Sequence, residues 1–504
     1  MILPRRALLA APGLLAACGD GTAPSWPRIV APGEFAGLDL SRAGHVLGRM
    51  GVVETLVGAD EAGRPTPELA VSWAVSADHA EWRFRLRPGA RFHDGTPVDA
   101  TSVASALSHA AAGVSVLARA PLAGIAPDGE DVVVFRLHRP FAPLPAFLSH
   151  AGSGVLAPGS FGGSGRVDRV IGSGPFRVAQ IHPPHRLLVA RWEGWWGAAP
   201  RLPGALYLAT GQGETRAVMV ESGEAQIAIG LLPASLARLR RRVRVAVASV
   251  PTPRVRMLKL DAASPFFRDQ RVREALSLAL DREGIAGALL RDATLATDQL
   301  FPPALADWHD PSLGPSRQDL AGARALLEAA GWRPGPGGIR QDALGQRFAV
   351  ELRTFTTWPE LPAMATAIQA QLREAGIAVS VSIGSSSDIP RGHRDGRLQM
   401  GLFTRQFGLV PDPLGTVLSD YGQAGGDWGA MNWHSEELLA LAASLGTTPD
   451  RSARRRIGTI LREERPVIPI ASSTLAVAAT PRLRGLRLDP FELRFHLQEL
   501  DWPA

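Results

Sequence analysis

The 504-residue sequence predicts an α/β protein built in layers of helix and strand, and three observations carry that expectation. Stretches with apolar residues three and four positions apart alternate with short β-branched runs. Hydrophobic residues make up 45% of the chain, enough for two or three cored domains, and its 53 glycines and 41 prolines supply connecting loops.

Taken in order, the chain begins with Arg5-Arg6 and an apolar run from Ala7 to Ala17. That run is about 11 residues, short of the ~20 a membrane-spanning helix needs, and reads as a secretory signal over residues 1–17. Cleavage after Leu15-Ala16-Ala17 would leave Cys18, the single cysteine, as the first mature residue. This arrangement looks like a bacterial lipoprotein signal, with Cys18 as the lipid attachment point. An oxidising compartment then gives this chain no disulfide, so the fold rests on its core. Residues 18–26, including Thr22-Ala-Pro-Ser, read as a tether.

From Trp82 the pattern alternates, with Trp82, Phe84 and Leu86 on one face and Arg83, Arg85 and Arg87 on the other, as in a half-buried strand. Asp94-Gly95 predicts a tight turn before another short strand, with His93 as a solvated turn residue. Asp99, Thr101 and Ser102 mark a helix start. Over 269–290, Val272, Ala275, Leu276, Ala279 and Leu280 form one buried helical stripe. Residues 319–332 repeat that logic and stop at Gly331, which suits a left-handed cap. Residues 364–383 run helix, Gly376, strand. Residues 449–470 run helix, Pro466, strand.

The net charge is +6, two less without Arg5 and Arg6, and almost all of the positive charge is arginine, Lys259 being the single lysine. The cluster Arg238, Arg240, Arg241, Arg242 and Arg244 lacks interleaved aromatics and reads as a solvated helix end, so no nucleic-acid partner is expected.

Seven ordered segments carry a resemblance: PELAVSW (67–73), WRFRLRPGARFHDGTPVDATSV (82–103), GSGPFRV (172–178), RWEGWWG (191–197), DQRVREALSLALDRE (269–283), LAGARALLEAAGW (320–332) and PVIPI (466–470). They resemble the extracytoplasmic solute-binding proteins of bacterial ABC importers, in the family 5 group for dipeptides, oligopeptides and nickel chelates. ETRAVMVESGEAQIAIGLLPASLARL (214–239) and RDGRLQM (394–400) look most like the nickel branch.

The resemblance implies a bilobed periplasmic-binding-protein fold. Lobe I would comprise 27–55, 170–255 and 475–504, with an inserted subdomain over 56–169, and lobe II would comprise 256–474. Hinges would fall near Pro251–Pro253 and Thr474. It implies a monomeric envelope lipoprotein, without cofactor or catalysis, that closes on a peptide, modified peptide or metal chelate. The membrane would hold it through the lipid, and ABC permease and ATPase subunits would be its partners.

Peptide receptors of this family carry an aspartate three residues before a DP pair, where it holds the ligand's α-ammonium; here Leu409 stands there, unless Asp412 substitutes. The nickel branch holds anionic chelates with arginine, but the segment 147–158 offers His150, Ala151 and Gly152. Ligand contacts are therefore assigned to Arg405, Gln406, Phe407, Asp412 and Trp428, with Met50 and His150 on the facing side. Asp412 reads more readily as a turn residue before Pro413 than as a ligand contact, Trp195-Trp196 as packing, and His182-Pro-Pro-His185 as an exposed turn rather than a metal pair. A sensor or chaperone role remains an alternative. A hydrolase is disfavoured: residues 162–166 spell GGSGR, with arginine where a nucleophile elbow has its last glycine, and no HExxH or Walker loop occurs.

Overall fold

The computed structural model describes residues 26–113, 115–408, 410–423 and 425–502. Cys18, the signal and most of the tether lie outside them, as does Leu409.

Two long strands, Ala246–Leu260 and Val467–Ala479, run antiparallel side by side and form the spine of a ten-stranded sheet. On one half of this pair the sheet continues through Ile227–Ile229, Arg28–Ala31, Gly204–Ala209, Arg186–Arg191 and Phe176–His182. On the other half it continues through Met400–Gln406, Ala349–Phe355 and Ala378–Gly384. Each half carries its own core, so the molecule is bilobed with the spine shared. Pro251 sits opposite Thr474, and the register slips between Thr252 and Val255. The two segments expected as hinges are thus direct neighbours in one ladder.

A separate antiparallel sheet joins Ala70–Val75, Glu81–Leu86, Val132–Leu137 and Leu122–Asp128 in that order. The alternation read at 82–87 is what places it: Trp82, Phe84 and Leu86 are buried, whereas Arg83 and Arg85 face out to Asp128 and Asp131 on neighbouring segments. Helix Ala100–Ala112 packs on this sheet and starts in a capping box. The Asp99 carboxylate accepts from the Ser102 N–H at 2.8 Å, and the Ser102 hydroxyl oxygen accepts in return from the Asp99 N–H at 3.2 Å. Asp99→Ala is expected to cost about 1 kcal/mol, read as a shift in the urea midpoint.

Local signals elsewhere act as expected. Helix Leu320–Ala329 is capped by Asp319 and ended by Gly331 at φ +93°. Leu361–Glu374 stops before Gly376, at φ +91°, and feeds strand Ala378–Gly384. Arg451–Glu464 ends at Arg465, and Pro466 precedes the long strand.

Three expectations need correction. The helix over 269–290 is broken into Gln270–Leu278, Arg282–Ile285 and a single wide turn Ala286–Leu290. Arg282, 2% exposed, causes the break: its guanidinium donates to the Ser277 carbonyl (2.9 Å), the Ser277 hydroxyl (2.7 Å) and the Pro469 carbonyl (2.9 Å), occupying acceptors at the first helix's end. Beyond Asp94-Gly95 the expected strand is only an isolated bridge between Arg91 and Pro97. His93 is not solvated: its ring lies edge-on to Trp192 at 5.0 Å, Nε2 is 3.0 Å from the Gly174 carbonyl, and burial pulls its pKa down to about 4.

Trp195 and Trp196 have a specific packing role. Both indole N–H groups donate to Oε1 of buried Glu54, at 3.1 and 2.9 Å, and Arg87 stacks over Trp196. Burial, then the neighbouring Glu68 carboxylate, push the Glu54 carboxyl up to about 8. The folded protein therefore holds a proton there that the unfolded chain releases at lower pH. The resulting stability is full below the ordinary carboxyl range and is lost as pH climbs through about 8. Glu54→Gln, which keeps an acceptor for both indoles, is expected to flatten that pH dependence in urea titrations between pH 5 and 9.

Candidate ligand-binding cleft

The wall supplied by lobe II begins at the end of strand Met400–Gln406. Arg405 donates there to Asp420 on helix Leu414–Tyr421, from Nε to Oδ2 at 2.6 Å and from Nη2 to Oδ1 at 3.1 Å. Both carboxylate oxygens are thereby used, with the Asp420 side chain only 3% exposed. Beyond the helix the chain doubles back so closely that a Cβ at Gly429 would lie 2.2 Å from the Asp420 carbonyl oxygen, so only glycine fits. Lys259, fully buried, ties this loop from behind by donating to the carbonyls of Gly426 (2.6 Å) and Asp427 (3.0 Å). Burial lowers its pKa to about 7. The loop presents Trp428, braced edge-on by Phe403 at 5.1 Å.

The facing wall comes from residues 113–152. Phe141 and Phe147 pack edge to face at 4.9 Å around the short helix Leu144–Phe147. His150 caps the next turn, its Nδ1 accepting from the Gly152 N–H at 2.9 Å. Burial, then the Arg119 charge, lower its pKa to about 4, so the ring is neutral with its proton on Nε2. Arg119 and Arg139 stand exposed on this wall, and neither forms an ion pair among the described residues.

Between the walls lies a cavity of about 1000 Å³ lined from both sides. The two walls touch where the Phe147 ring packs so near Gly415 that a Cβ there would approach it within 2.8 Å, and the same two lobes meet where the Ala142 N–H donates to the Gly446 carbonyl at 2.8 Å.

The structure brings three nominated residues, Arg405, Trp428 and His150, to this lining. The other four lie elsewhere. Phe407 is wholly buried and meets Phe301 edge-on at 5.4 Å inside the lobe II core. Met50 is wholly buried in the lobe I core at the end of helix Leu40–Arg49. Asp412 is a turn residue: Oδ1 accepts from the Leu414 N–H at 2.9 Å and Oδ2 meets Arg454 at 3.1 Å. Gln406 is half-buried and outside the lining. Sequence reading missed Arg119, Arg139 and Asp420. The one local cue was the string His138-Arg139-Pro140-Phe141, an arginine beside an aromatic directly after a strand.

Residues 64–428 match the bacterial extracellular solute-binding proteins, family 5 middle. The chain belongs to that family. Among curated relatives of this family 5 protein, the nickel-binding periplasmic protein of Escherichia coli strain K12 is 26% identical over 515 residues, covering 96% of this chain and 95% of its own. The dipeptide-binding protein of the same strain is 23% identical, covering 87% and 86%. Among solved structures, NikA from Brucella suis in complex with Fe(III)-EDTA superposes with a TM-score of 0.82 at 24% identity, covering 95% of this chain and 100% of that one. The oligopeptide-binding protein AppA from Bacillus subtilis, with a nonapeptide, gives 0.74 at 16%, covering 95% and 99%. These structural likenesses establish the family 5 fold. The curated relatives are named as binding proteins, and among the described residues no helix is long and apolar enough to cross a membrane.

Proposed function

We propose that this family 5 receptor captures a carboxylate-bearing solute, a metal chelate or a peptide modified at its amino end, and delivers it to an ABC permease for uptake while anchored through Cys18. The observation that carries this reading is the charge balance of the cleft. A free α-ammonium needs an uncompensated carboxylate, but Asp420 is spent on Arg405, Asp412 on Arg454 and Asp427 on Arg394. Arg119 and Arg139, in contrast, are available to carboxylate oxygens, which guanidinium groups bind in a fork. Phe141, Phe147 and Trp428 would wall the apolar part. Among the described residues no three His, Cys, Asp or Glu side chains converge, so a metal held here would bring its own ligands.

A ligand touching both walls gains contacts available only when they are close, so closure and binding reinforce each other. The test is mass spectrometry of small molecules released from protein purified from its native host, with small-angle scattering before and after release. A carboxylate-bearing solute and a more extended empty form are expected. Release of only lipids or of nothing, with unchanged scattering, would overturn the reading.

A further inference from the structure

Beside the cleft lies a second cavity of about 410 Å³, bounded by residues 36–42, the end of helix Ala100–Ala112, and the segments 152–156 and 161–167. Ser41, Gly113, Ser115 and Gly152 line both cavities, so among the described residues the two meet at a boundary of small side chains. The chamber's charge repeats that of the cleft. Arg42 and Arg166 line it, exposed, and neither forms an ion pair among the described residues. The one carboxylate lining it among the described residues, Asp39, is engaged at the start of helix Leu40–Arg49, accepting from the Ser41 N–H at 2.8 Å. His109 stacks edge-on against Phe161 at 4.8 Å, giving the chamber an aromatic side as well.

Resting on the anionic-cleft reading, we infer that the side chamber is a second subsite, which receives the distal carboxylate-bearing end of an elongated solute threaded past Gly113 and Gly152. A compact solute would fill the cleft alone. An elongated one would place one acidic end on Arg119 and Arg139 and the other on Arg42 and Arg166.

The boundary offers a direct test. Gly113 has φ −98° and ψ −164°, which any residue adopts, and a Cβ there would meet nothing nearer than 3.5 Å. Gly113→Leu should therefore fold normally and narrow the passage. Calorimetry would compare N-acetylglutamate with N-acetyl-tetraglutamate, which share one chemistry and differ in length. Wild-type protein is expected to bind both, the longer at least tenfold more tightly. The Arg42→Gln/Arg166→Gln pair, which lies outside the cleft lining, should remove that tenfold advantage and leave N-acetylglutamate affinity unchanged, and Gly113→Leu, at the shared boundary, should independently lower the ratio of long-probe to short-probe affinity. If the short probe binds and neither variant changes the long probe's affinity, the side chamber is not a subsite and the anionic cleft stands. If wild-type protein binds neither probe, the cleft reading falls and the inference falls with it.

Discussion

Replacing Arg119 and Arg139 together with glutamine is expected to weaken binding of a carboxylate-bearing ligand by about a hundredfold, while the melting temperature stays where it was. Each exposed guanidinium should contribute about tenfold through a charge-assisted hydrogen bond. Neither arginine is tied to an acidic residue among the described residues, so removing them leaves no buried carboxylate uncompensated. Wild-type affinity should also fall as salt is raised, and the double variant should lose most of that dependence. Calorimetry at two ionic strengths reads both effects. Unchanged affinity in the double variant would remove the charge argument on which the ligand class rests.

Arg405→Met should behave in the opposite way, with its main effect on the fold. It would leave the Asp420 carboxylate, 3% exposed, without its bidentate partner, and orphaning one member of a buried pair costs about 3–5 kcal/mol. Burial outweighs the guanidinium even in the intact pair, holding the Asp420 pKa above its ordinary value. That proton is gained on folding, so the associated stability is full below the ordinary carboxyl range and is lost as pH rises through the raised value. Removing Arg405 should raise it further, so the variant's deficit should shrink in mild acid. Adding Asp420→Asn should recover much of the loss at neutral pH. Urea denaturation of the wild type, both single variants and the double gives the coupling; additive losses would mean that the pair is not the unit described here.

What could be read from the chain beforehand divides by range. The strand at 81–86, the Asp99 cap and the stop at Gly331 depend on neighbours within a few residues, and all were legible. The break at Asp281 was not, because its cause is a buried Arg282 reaching a carbonyl at Pro469. The site shows the same division. Phe407 follows Arg405 and Gln406 directly, yet Phe301 from a distant segment draws it into the core. Arg83 and Arg85 find carboxylates on adjoining segments, whereas Arg119 and Arg139 find none among the described residues. Whether a charge is free for a ligand is decided by tertiary neighbours, so Arg405 looked available and is largely committed, while Asp420 drew no notice.

The shared spine of the sheet has a mechanical consequence. Two independent connecting strings would let one half swing, slide and rotate about the other. Here the crossings are adjacent ladder rungs, Pro251 facing Thr474, bound along most of their length. Such a ribbon bends more readily across its thin direction than in its plane, so any travel of one lobe against the other would follow a single arc. Outer faces far from the cleft would then be geared to it: a membrane component gripping both would sense whether the jaws were shut without touching what they held.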